Sequence, residues 1–382
     1  MPTHLIRSSI ALLAVATAAC SYQAPDMTPE ETRHLDQLTA RMTTRCIGRY
    51  LVDLPDAFVL NSEARTEIEG VKIKVMPIKK LVFEHALERR EAQLRARHMD
   101  GRPNRPFLKG RENTPVIAIG AVFNRAEASG DAEFGRTLEL MAWKDGFQIE
   151  MSLDAIDGSV MVFDESTIGT PYEVSERRIF EKYKDRNDTP QKLAHLLKIY
   201  ERLDGRPDTA IPTEQGVCFP NGFLRGAPTD AESIDLNYHL SSAEDVYFSF
   251  MSMSDIGPEE NTLLERGNDI NAMLKEVNGR TLRKGKRSIG GQEAEEWLFM
   301  RESDPGVEDY HLILEMNGLE GNAQQPAVIF EMSSGVSKPG PQPSLEEVAT
   351  RKPIAKATLG EAESVALWDR VTSTLRPRPG AF

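Results

Sequence analysis

Cysteine is scarce in this sequence, which limits both metal binding and disulfide bonding. The chain has only three cysteines, Cys20, Cys46 and Cys218, among 382 residues. No two of them are close enough in sequence to form a zinc knuckle, and no H-E-x-x-H motif is present. His85 and His98 share one predicted helix, but they lie several turns apart and cannot hold one metal ion together. We therefore predict no metal site and no cofactor.

Recognisable catalytic motifs are also absent. The sequence has neither a G-x-S-x-G nucleophile elbow nor a G-x-x-x-x-G-K-[ST] phosphate loop. An enzyme can assemble its site from residues that are distant in sequence, so an unrecognised hydrolase stays open as an alternative. No carboxylate or histidine stands out as its catalytic group. The motifs therefore predict that the chain is not an enzyme.

Positive charge is in deficit. Lys and Arg together number 46, Asp and Glu together number 59, and the formal net charge is −13. A protein that binds nucleic acid needs a basic face to displace counterions, so this composition argues against nucleic acid as a partner. An acidic surface suits a basic protein partner, but acidity also serves solubility alone.

Long apolar runs are absent except near the N-terminus. An apolar stretch at residues 10–16 follows Arg7 and is too short to span a bilayer. It is typical of a cleaved signal peptide, which we predict over residues 1–19. The sequence TAAC, which ends at Cys20, resembles a bacterial lipobox, so Cys20 is the predicted lipidation site and this anchor the only predicted membrane contact. An ordinary signal peptide stays open, because the overlapping A-T-A also fits a cleavage site.

The residue after the predicted lipid anchor bears on localisation. Ser21 stands where a signal for inner-membrane retention would have Asp, and the resemblance to sorted lipoproteins implies the periplasm, with anchoring to the outer membrane. Because the periplasm oxidises thiols, we predict a disulfide between Cys46 and Cys218. Such a bond needs Cα atoms within about 7 Å of each other, which sequence does not show.

Apolar periodicity predicts a chain in which helices and strands are mixed. Helices are predicted at residues 29–43, 81–99, 172–184, 190–203, 259–277 and 361–375. Strands are predicted at residues 71–78, 116–123, 136–143, 147–153, 233–240, 246–253, 295–300, 310–316 and 327–332. The first helix has a clear start, because Thr28 precedes Pro29 and Glu31 completes a capping box.

The chain divides into two similar halves. After a tether and lead-in helix at residues 20–40, we predict an N-terminal domain at 41–208 and a C-terminal domain at 209–382, with the sequence DGRPD at 204–208 as the linker. A cysteine, a helix and an E-M-S tripeptide recur with a spacing of roughly 170–180 residues, which indicates a diverged duplication. The predicted fold class is α+β, with two tandem domains, each a mainly antiparallel sheet with packed helices.

Two charged segments are candidate surface features. The acidic loop 302–309 lacks the alternating ligands of a calcium site and is predicted to be a hairpin connection. As a displayed tip it is a candidate partner-binding site, with Asp304, Glu308 and Asp309 as contact residues. The basic run is predicted to lie on a solvated edge strand, although a membrane or phosphate patch stays open. Its residues are Arg280, Arg283, Lys284, Lys286 and Arg287.

Three segments carry a resemblance to a known family. They are CIGRYLVDLP from residue 46, TLELMAWKDGFQIEMSL from residue 137 and VCFPNGFLRGAP from residue 217. In these segments and in strand order, residues 41–375 resemble the two-domain immunity proteins that inhibit the fourth class of type VI-secreted Tle lipases. The resemblance implies a periplasmic protein that binds an incoming phospholipase effector and blocks its lid or active site. It assigns no functional residue in this sequence.

The predicted function follows from the export signal, the missing catalytic motifs and this resemblance. We predict an immunity protein whose two domains clamp the lid or active-site entrance of a phospholipase effector. A clamp inhibits only if it binds the closed enzyme more tightly than the open one. The alternative is an envelope lipoprotein with a structural or assembly role.

Overall fold

A computed structural model describes residues 22, 24–61, 64–100, 102–130, 132, 134–257, 259–304, 306–319, 322–336 and 354–382. Cys20 and the predicted signal peptide lie outside these residues. The α-helices in the described residues are α1 Pro29–Leu38, α2 Lys80–Ala96, α3 Glu173–Tyr183, α4 Thr189–Arg202, α5 Gly267–Glu276 and α6 Glu361–Thr372. None of them is long and apolar enough to cross a membrane.

Strands dominate both halves of the chain. In the first half they are β1 Met42–Ile47, β2 Tyr50–Pro55, β3 Phe58–Leu60, β4 Arg65–Ile68, β5 Val71–Pro77, β6 His98–Met99, β7 Arg102–Pro106, β8 Leu108–Glu112, β9 Gly120–Ala126, β10 Gly135–Lys144 and β11 Phe147–Ile156. The short strand β12 Leu203–Gly205 closes the first half. In the second half the strands are β13 Gly216–Phe219, β14 Gly222–Arg225, β15 Glu232–Leu240, β16 Ala243–Met253, β17 Arg280–Ile289, β18 Gln292–Asp304, β19 Val307–Met316, β20 Ala327–Ser334 and β21 Arg376–Pro377.

One antiparallel sheet runs through both halves. Its order is β17-β18-β19-β20-β16-β15-β4-β5-β11-β10-β9-β8, and β3 pairs with β15 beside this path. Outward from the central β4–β15 pair, the strands are β5-β11-β10-β9-β8 on one side and β16-β20-β19-β18-β17 on the other. The two halves therefore share one topology, in which the next strand of the chain comes first and the four later strands follow in reverse chain order. The antiparallel α+β fold predicted from sequence is confirmed, and the repeated order is that of a duplication. The two predicted sheets are joined into one.

The halves also exchange strands. A hairpin opens each half, β1–β2 in the first and β13–β14 in the second. The short strand β12, which follows α4, pairs with β14 of the second half, and β21, which follows α6, pairs with β2 of the first. Each opening hairpin is therefore completed by the strand that closes the other half.

The segment predicted as a linker is part of this exchange. Asp204 and Gly205 lie in β12, and the buried guanidinium of Arg206 donates to the carbonyl oxygens of Ala210 at 2.9 Å and Cys46 at 3.3 Å. Arg378, which follows β21, is buried in the same way and donates to the carbonyl of Gly216 at 2.6 Å. The predicted linker is therefore a packed segment, in which Arg206 satisfies backbone carbonyls inside the protein.

A disulfide joins the two opening hairpins. Cys46 on β1 and Cys218 on β13 are bonded, with Cα atoms 5.7 Å apart. Gly48 and Cys218 also exchange two backbone hydrogen bonds of 2.8 Å. Both cysteines are buried with Leu51 and Phe223 in a small apolar cluster. The crosslink thus lies inside the protein, where the two hairpins meet.

A buried ion pair ties the first hairpin to the centre of the sheet. Arg49, in the β1–β2 turn, is 3% exposed, and its Nε and Nη2 donate to Glu232 on β15 at 2.9 and 2.6 Å. Glu232 in turn stands opposite Ile68 in the β4–β15 ladder. The position of the hairpin is therefore fixed by a charge pair that has little access to water.

The main core lies on one face of the sheet. Buried aromatic rings pack there in a continuous series, in which Phe330 stacks on both Phe248 and Trp368 of α6, with ring centroids 5.5 and 5.6 Å apart. On the other face, α2 contacts β9 and β10, and α5 contacts β17. Smaller apolar clusters lie beneath these two helices.

Most predicted elements are present, and several boundaries differ. Thr28 and Glu31 form the predicted capping box, but α1 ends at Leu38 because β1 begins at Met42. The helix predicted at 259–277 begins only at Gly267. The strand predicted at 116–123 begins at Gly120, because β9 pairs with β10 from Gly120 to Ala126.

We expect removal of the disulfide to destabilise the protein without changing its fold. The double variant Cys46→Ser/Cys218→Ser frees a loop with a sequence separation of 172 residues, and loss of such a crosslink costs about 2–5 kcal/mol. Urea denaturation of oxidised wild type, reduced wild type and the variant measures this cost. Reduced wild type should match the variant, and equal stability of all three would contradict the expectation.

We also expect neither half to fold alone, because each lacks the strand that completes its opening hairpin. Residues 41–208 and 209–382 expressed separately should give weak circular dichroism and aggregate. Co-expression of the two should restore a soluble heterodimer with the dichroism of the full chain. Two stable, cooperatively unfolding monomers would show that the exchange contributes little.

Candidate functional site

The second face of the sheet is open between α2 and α5. We call the outward side chains of β4, β5, β11, β15, β16 and β20 the open face. Residues of β5 from Val71 to Met76, and all residues of β15, alternate between buried and more exposed positions, so one set points into the core and the other onto this face. Paired residues run across the sheet on one surface from Glu139 on β10 to Met253 on β16. Ile313, which packs with residues of α5, lies on the same surface, so α2 and α5 are on the same side of the sheet.

A cavity of about 770 Å³ occupies the part of the open face next to α2. We call it the N-terminal groove. It is lined by Ala64, Arg65, Thr66, Glu67, Lys72, Ile73, Lys74, Arg90, Arg125, Glu139, Met141, Glu150, Met151 and Ser152. The lining contains five cationic and three acidic side chains, so the groove is positively charged in a chain whose net charge is −13.

An ion-pair network forms the wall of the groove beneath α2. Arg90 of α2 donates through Nε and Nη2 to the two carboxylate oxygens of Glu139 at 2.6 and 2.7 Å, and Arg125 donates to Glu139 from β9. Burial alone would raise the pKa of Glu139, but hydrogen bonds from Arg90 and Arg125 bring that pKa below its ordinary value. Glu139 therefore stays ionised and holds both arginines in place.

The remaining cations of the groove are less engaged. Lys72 lies 3.9 Å from Asp154, and its side chain is 64% exposed. Lys74 is exposed, and no described residue forms an ion pair or hydrogen bond with its ammonium group. Arg65 stands opposite Asp235 in the β4–β15 ladder. These three cations face solvent across the floor of the groove.

A serine, a histidine and a carboxylate meet on the corresponding part of the second half. His311 Nδ1 lies 2.7 Å from Ser333 Oγ, and His311 Nε2 lies 3.9 Å from Glu331. Burial, and secondly Arg301, lower the pKa of His311 to about 4. Ser333 is fully buried, so its hydroxyl is not placed to attack a substrate. The residue types of a hydrolase triad are present, but the geometry is that of a structural cluster.

Several carboxylate side chains lie beside this cluster. Glu331 and Asp235 lie on the open face, and Glu315 lies near Glu331 on β19. Burial, followed by repulsion from Glu315 and Asp235, raises the pKa of Glu331. Burial also raises the pKa of Asp235. Ionisation of this part of the face therefore costs folding free energy at neutral pH.

The predicted partner-binding tip differs from its prediction at one residue. The β18–β19 hairpin turns at Gly306, so Asp309 falls inside β19, where it is fully buried and receives a 2.7 Å hydrogen bond from Arg301. Asp309 is not displayed to a partner, contrary to the prediction. Glu308 is exposed and accepts a hydrogen bond from Tyr310. The backbone of Asp304 pairs with Val307, and its side chain lies outside the described residues.

The basic run lies on β17, at one edge of the large sheet. It is only partly solvated. Arg283 donates to Glu296 at 2.8 Å and to Asp369 of α6 at 2.9 Å, and Lys284 lies 3.9 Å from the ring centroid of Trp297. These contacts hold the edge strand against the core, so the run is not a free basic patch. Among the described residues, no group of three or more His, Cys, Asp or Glu side chains is placed to hold a metal ion.

The cost of the carboxylate cluster leads to a prediction with a defined pH dependence. Because folding raises the pKa of Glu331, the folded protein binds this proton more tightly than the unfolded chain, and stability is lost as the pH rises through the raised value. Glu331→Gln should therefore raise Tm above that of wild type at pH 7.5. The gain should shrink on acidification and vanish below about pH 4, where unfolded Glu is protonated as well.

The matched control for this substitution is Glu244→Gln, an exposed position on β16. It should leave Tm nearly unchanged, both at pH 7.5 and below about pH 4, in thermal melts followed by circular dichroism. A Glu331→Gln protein that is less stable than wild type at pH 7.5 would show that the carboxylate makes a favourable interaction instead.

Comparison with known proteins gives a consistent result over both halves. Residues 43–206 match the model of the Tle cognate immunity protein 4 N-terminal domain, and residues 210–380 match that of the Tle cognate immunity protein 4 C-terminal domain. Among curated proteins, none matches this chain.

Solved structures share the fold. The crystal structure of a Tle4–Tli4 complex matches with a TM-score of 0.64 and 21% identity, covering 89% of this chain and 98% of that chain. The apo structure of the immunity protein TplEi of the type VI secretion system from Pseudomonas aeruginosa matches with a TM-score of 0.61 and 20% identity, over 89% and 98% of the two chains. TplEi complexed with an "L" peptide matches with a TM-score of 0.57 and 20% identity, over 88% and 98%.

These matches extend over nearly all the described residues. The chain belongs to the Tle cognate immunity protein 4 family, whose members are type VI secretion immunity proteins that bind Tle effectors and are not enzymes.

Proposed function

We propose that this protein is a periplasmic immunity protein that inhibits a type VI-secreted phospholipase by clamping its lid or active-site entrance against the open face. The observation that carries the proposal is the open face itself. It spans both halves and has a helix at each end. Lys72, Lys74, Asp235 and Met251 on its central strands are exposed or partly exposed. Such a surface can contact a protein partner with both halves at once.

The continuous sheet supports the clamp. Because β4 pairs with β15, the ends of the open face are connected by backbone hydrogen bonds instead of a flexible linker. A rigid surface loses little entropy when it binds, so more of the contact energy appears as affinity. Inhibition follows if the face fits the closed lipase better than the open one, since only differential affinity shifts a conformational equilibrium.

The proposed location rests on the sequence and on the disulfide. The predicted signal peptide, and the lipobox ending at Cys20, direct the chain out of the cytoplasm to the outer membrane. A buried disulfide between Cys46 and Cys218 suits an oxidising compartment. In the periplasm the inhibitor would meet the effector where its phospholipid substrate lies.

The proposal predicts inhibition that depends on the open face. The cognate Tle phospholipase, to be sought first among the genes next to that of this chain, should lose hydrolysis of both phospholipid vesicles and a soluble short-chain ester when one equivalent of wild-type protein is added. Met251→Arg places a long charged side chain on the face at β16. It should weaken binding by at least about tenfold, or 1.4 kcal/mol, in calorimetry.

The matched control is Ala194→Arg, an exposed position on α4, which packs against the opposite face of β11. It should bind and inhibit like wild type. Undiminished hydrolysis with wild-type protein would refute the proposed function. Inhibition of vesicle hydrolysis alone, with full activity on the soluble ester, would refute clamping of the lid or active-site entrance.

A further inference from the structure

We infer that the N-terminal groove receives an extended acidic segment of the effector, whose carboxylates pair with Lys72 and Lys74. This inference rests on the proposed function and names the chemistry of one part of the interface. The partner segment is defined by its charge pattern, with Asp or Glu at alternate positions. Four observations carry it: the charge of the groove, its spacing, its fixed arginines and its difference from the other half.

The charge of the groove is not balanced from within. Of its three carboxylates, Glu139 is engaged by Arg90 and Arg125. Glu150 accepts a hydrogen bond from the side-chain amide of Gln148. The third, Glu67, stands opposite Lys72 in the β4–β5 ladder. The lining holds five cations against these three carboxylates, while the chain as a whole is acidic. An anionic partner group would gain attraction here and would be repelled by most of the remaining surface.

The spacing of the lysines matches an extended peptide. Lys72 stands opposite Ser152 and Lys74 opposite Glu150, so both side chains leave β5 on the same face. Residues two apart in a strand are about 6.6 Å apart along it. An extended partner segment with acidic residues at alternate positions repeats at the same interval, so two carboxylates can meet both ammonium groups in one register.

The walls of the groove are fixed before any partner arrives. Arg90 is held from α2 and Arg125 from β9 by the same buried carboxylate, that of Glu139. Their charges therefore stay at the groove without a loss of side-chain freedom on binding. The flexible lysines at the floor and the fixed arginines at the wall together surround an anion from two sides.

The duplicated half shows that the sheet itself does not require these cations. Tyr247 pairs with Ser333 as Lys72 pairs with Ser152, and Ser249 pairs with Glu331 as Lys74 pairs with Glu150. The strand that corresponds to β5 thus carries tyrosine and serine in place of the two lysines. The two lysine charges are therefore a feature of one half alone, which indicates a role in recognition and not in folding.

An anionic bilayer fits the groove less well than a peptide does. The cations line a recess between α2 and the sheet, and Glu67, Glu139 and Glu150 lie among them. A flat lipid surface would first contact the groups that protrude around the recess. Inside it, the anionic lipid would be repelled by these carboxylates, which lie among the cations. A narrow peptide can enter the recess and place its carboxylates next to the individual lysines.

The test is a charge reversal with a matched control. Lys72→Glu/Lys74→Glu should weaken binding to the cognate Tle phospholipase by at least about tenfold, measured by calorimetry in 150 mM salt. Lys182→Glu/Lys198→Glu changes two exposed lysines outside the groove by the same total charge. It should bind within about twofold of wild type. Thermal melts of both variants check that they remain folded.

Direct proximity is measured by a zero-length carbodiimide, which joins amines to carboxylates in contact. In the wild-type complex, peptide mapping should find Lys72 or Lys74 coupled to an Asp or Glu of the lipase. If wild type binds and the two double variants bind equally well, the inference fails while the proposed function stands. If wild type does not bind the lipase, the proposed function fails as well.

A vesicle experiment separates the other anionic partner. Phosphatidylglycerol vesicles are mixed with the unlipidated wild-type protein and with both double variants, and bound protein is measured by flotation. Little binding that is the same for all three supports the peptide. Strong wild-type binding that only Lys72→Glu/Lys74→Glu abolishes would overturn the inference in favour of a lipid headgroup.

Discussion

The pairing of β4 with β15 is the contact on which the rest of the architecture depends. Only four residues of β4 take part, from Arg65 to Ile68, yet this ladder turns two half-sheets into one surface. It is reinforced at one end by the buried pair of Arg49 and Glu232. Replacement of either residue by a neutral one would leave the charge of the other unpaired inside the protein, so the junction tolerates little change. The open face and its groove both exist because this short ladder holds.

Local features of the fold were predictable from the sequence because they depend on neighbours in the chain. Alternating residues in β5, the capping box at Thr28 and the periodic apolar stripe of α2 each carry their own signal. The recurrence of short motifs at one spacing also indicated the duplication. None of these signals states which strand pairs with which, and so the fusion of two sheets into one was not predicted.

Strand pairing decides two features that the sequence did not show. The segment at 204–208 has the composition of a loop, but it supplies a strand to a hairpin of the other half and a buried arginine to its carbonyls. A signal existed, since the pattern L-x-x-R-P occurs at Leu203 and again at Leu375. Asp309 was misplaced because the hairpin turn is shorter than its acidic sequence suggested, and one residue of register decides whether a side chain faces water or the interior. The groove, built from six distant segments, had no local signature.

The exchange of closing strands has a consequence for how the two halves diverged. Two identical chains with this topology would form a closed homodimer, with one disulfide between equivalent cysteines and each chain completing the hairpin of the other. Such a dimer presents every surface twice, so a substitution that makes one groove cationic makes the other cationic too. In a single continuous chain the two copies mutate separately. Lys72 and Lys74 on one side and Tyr247 and Ser249 on the other are differences that a homodimer of one chain cannot hold.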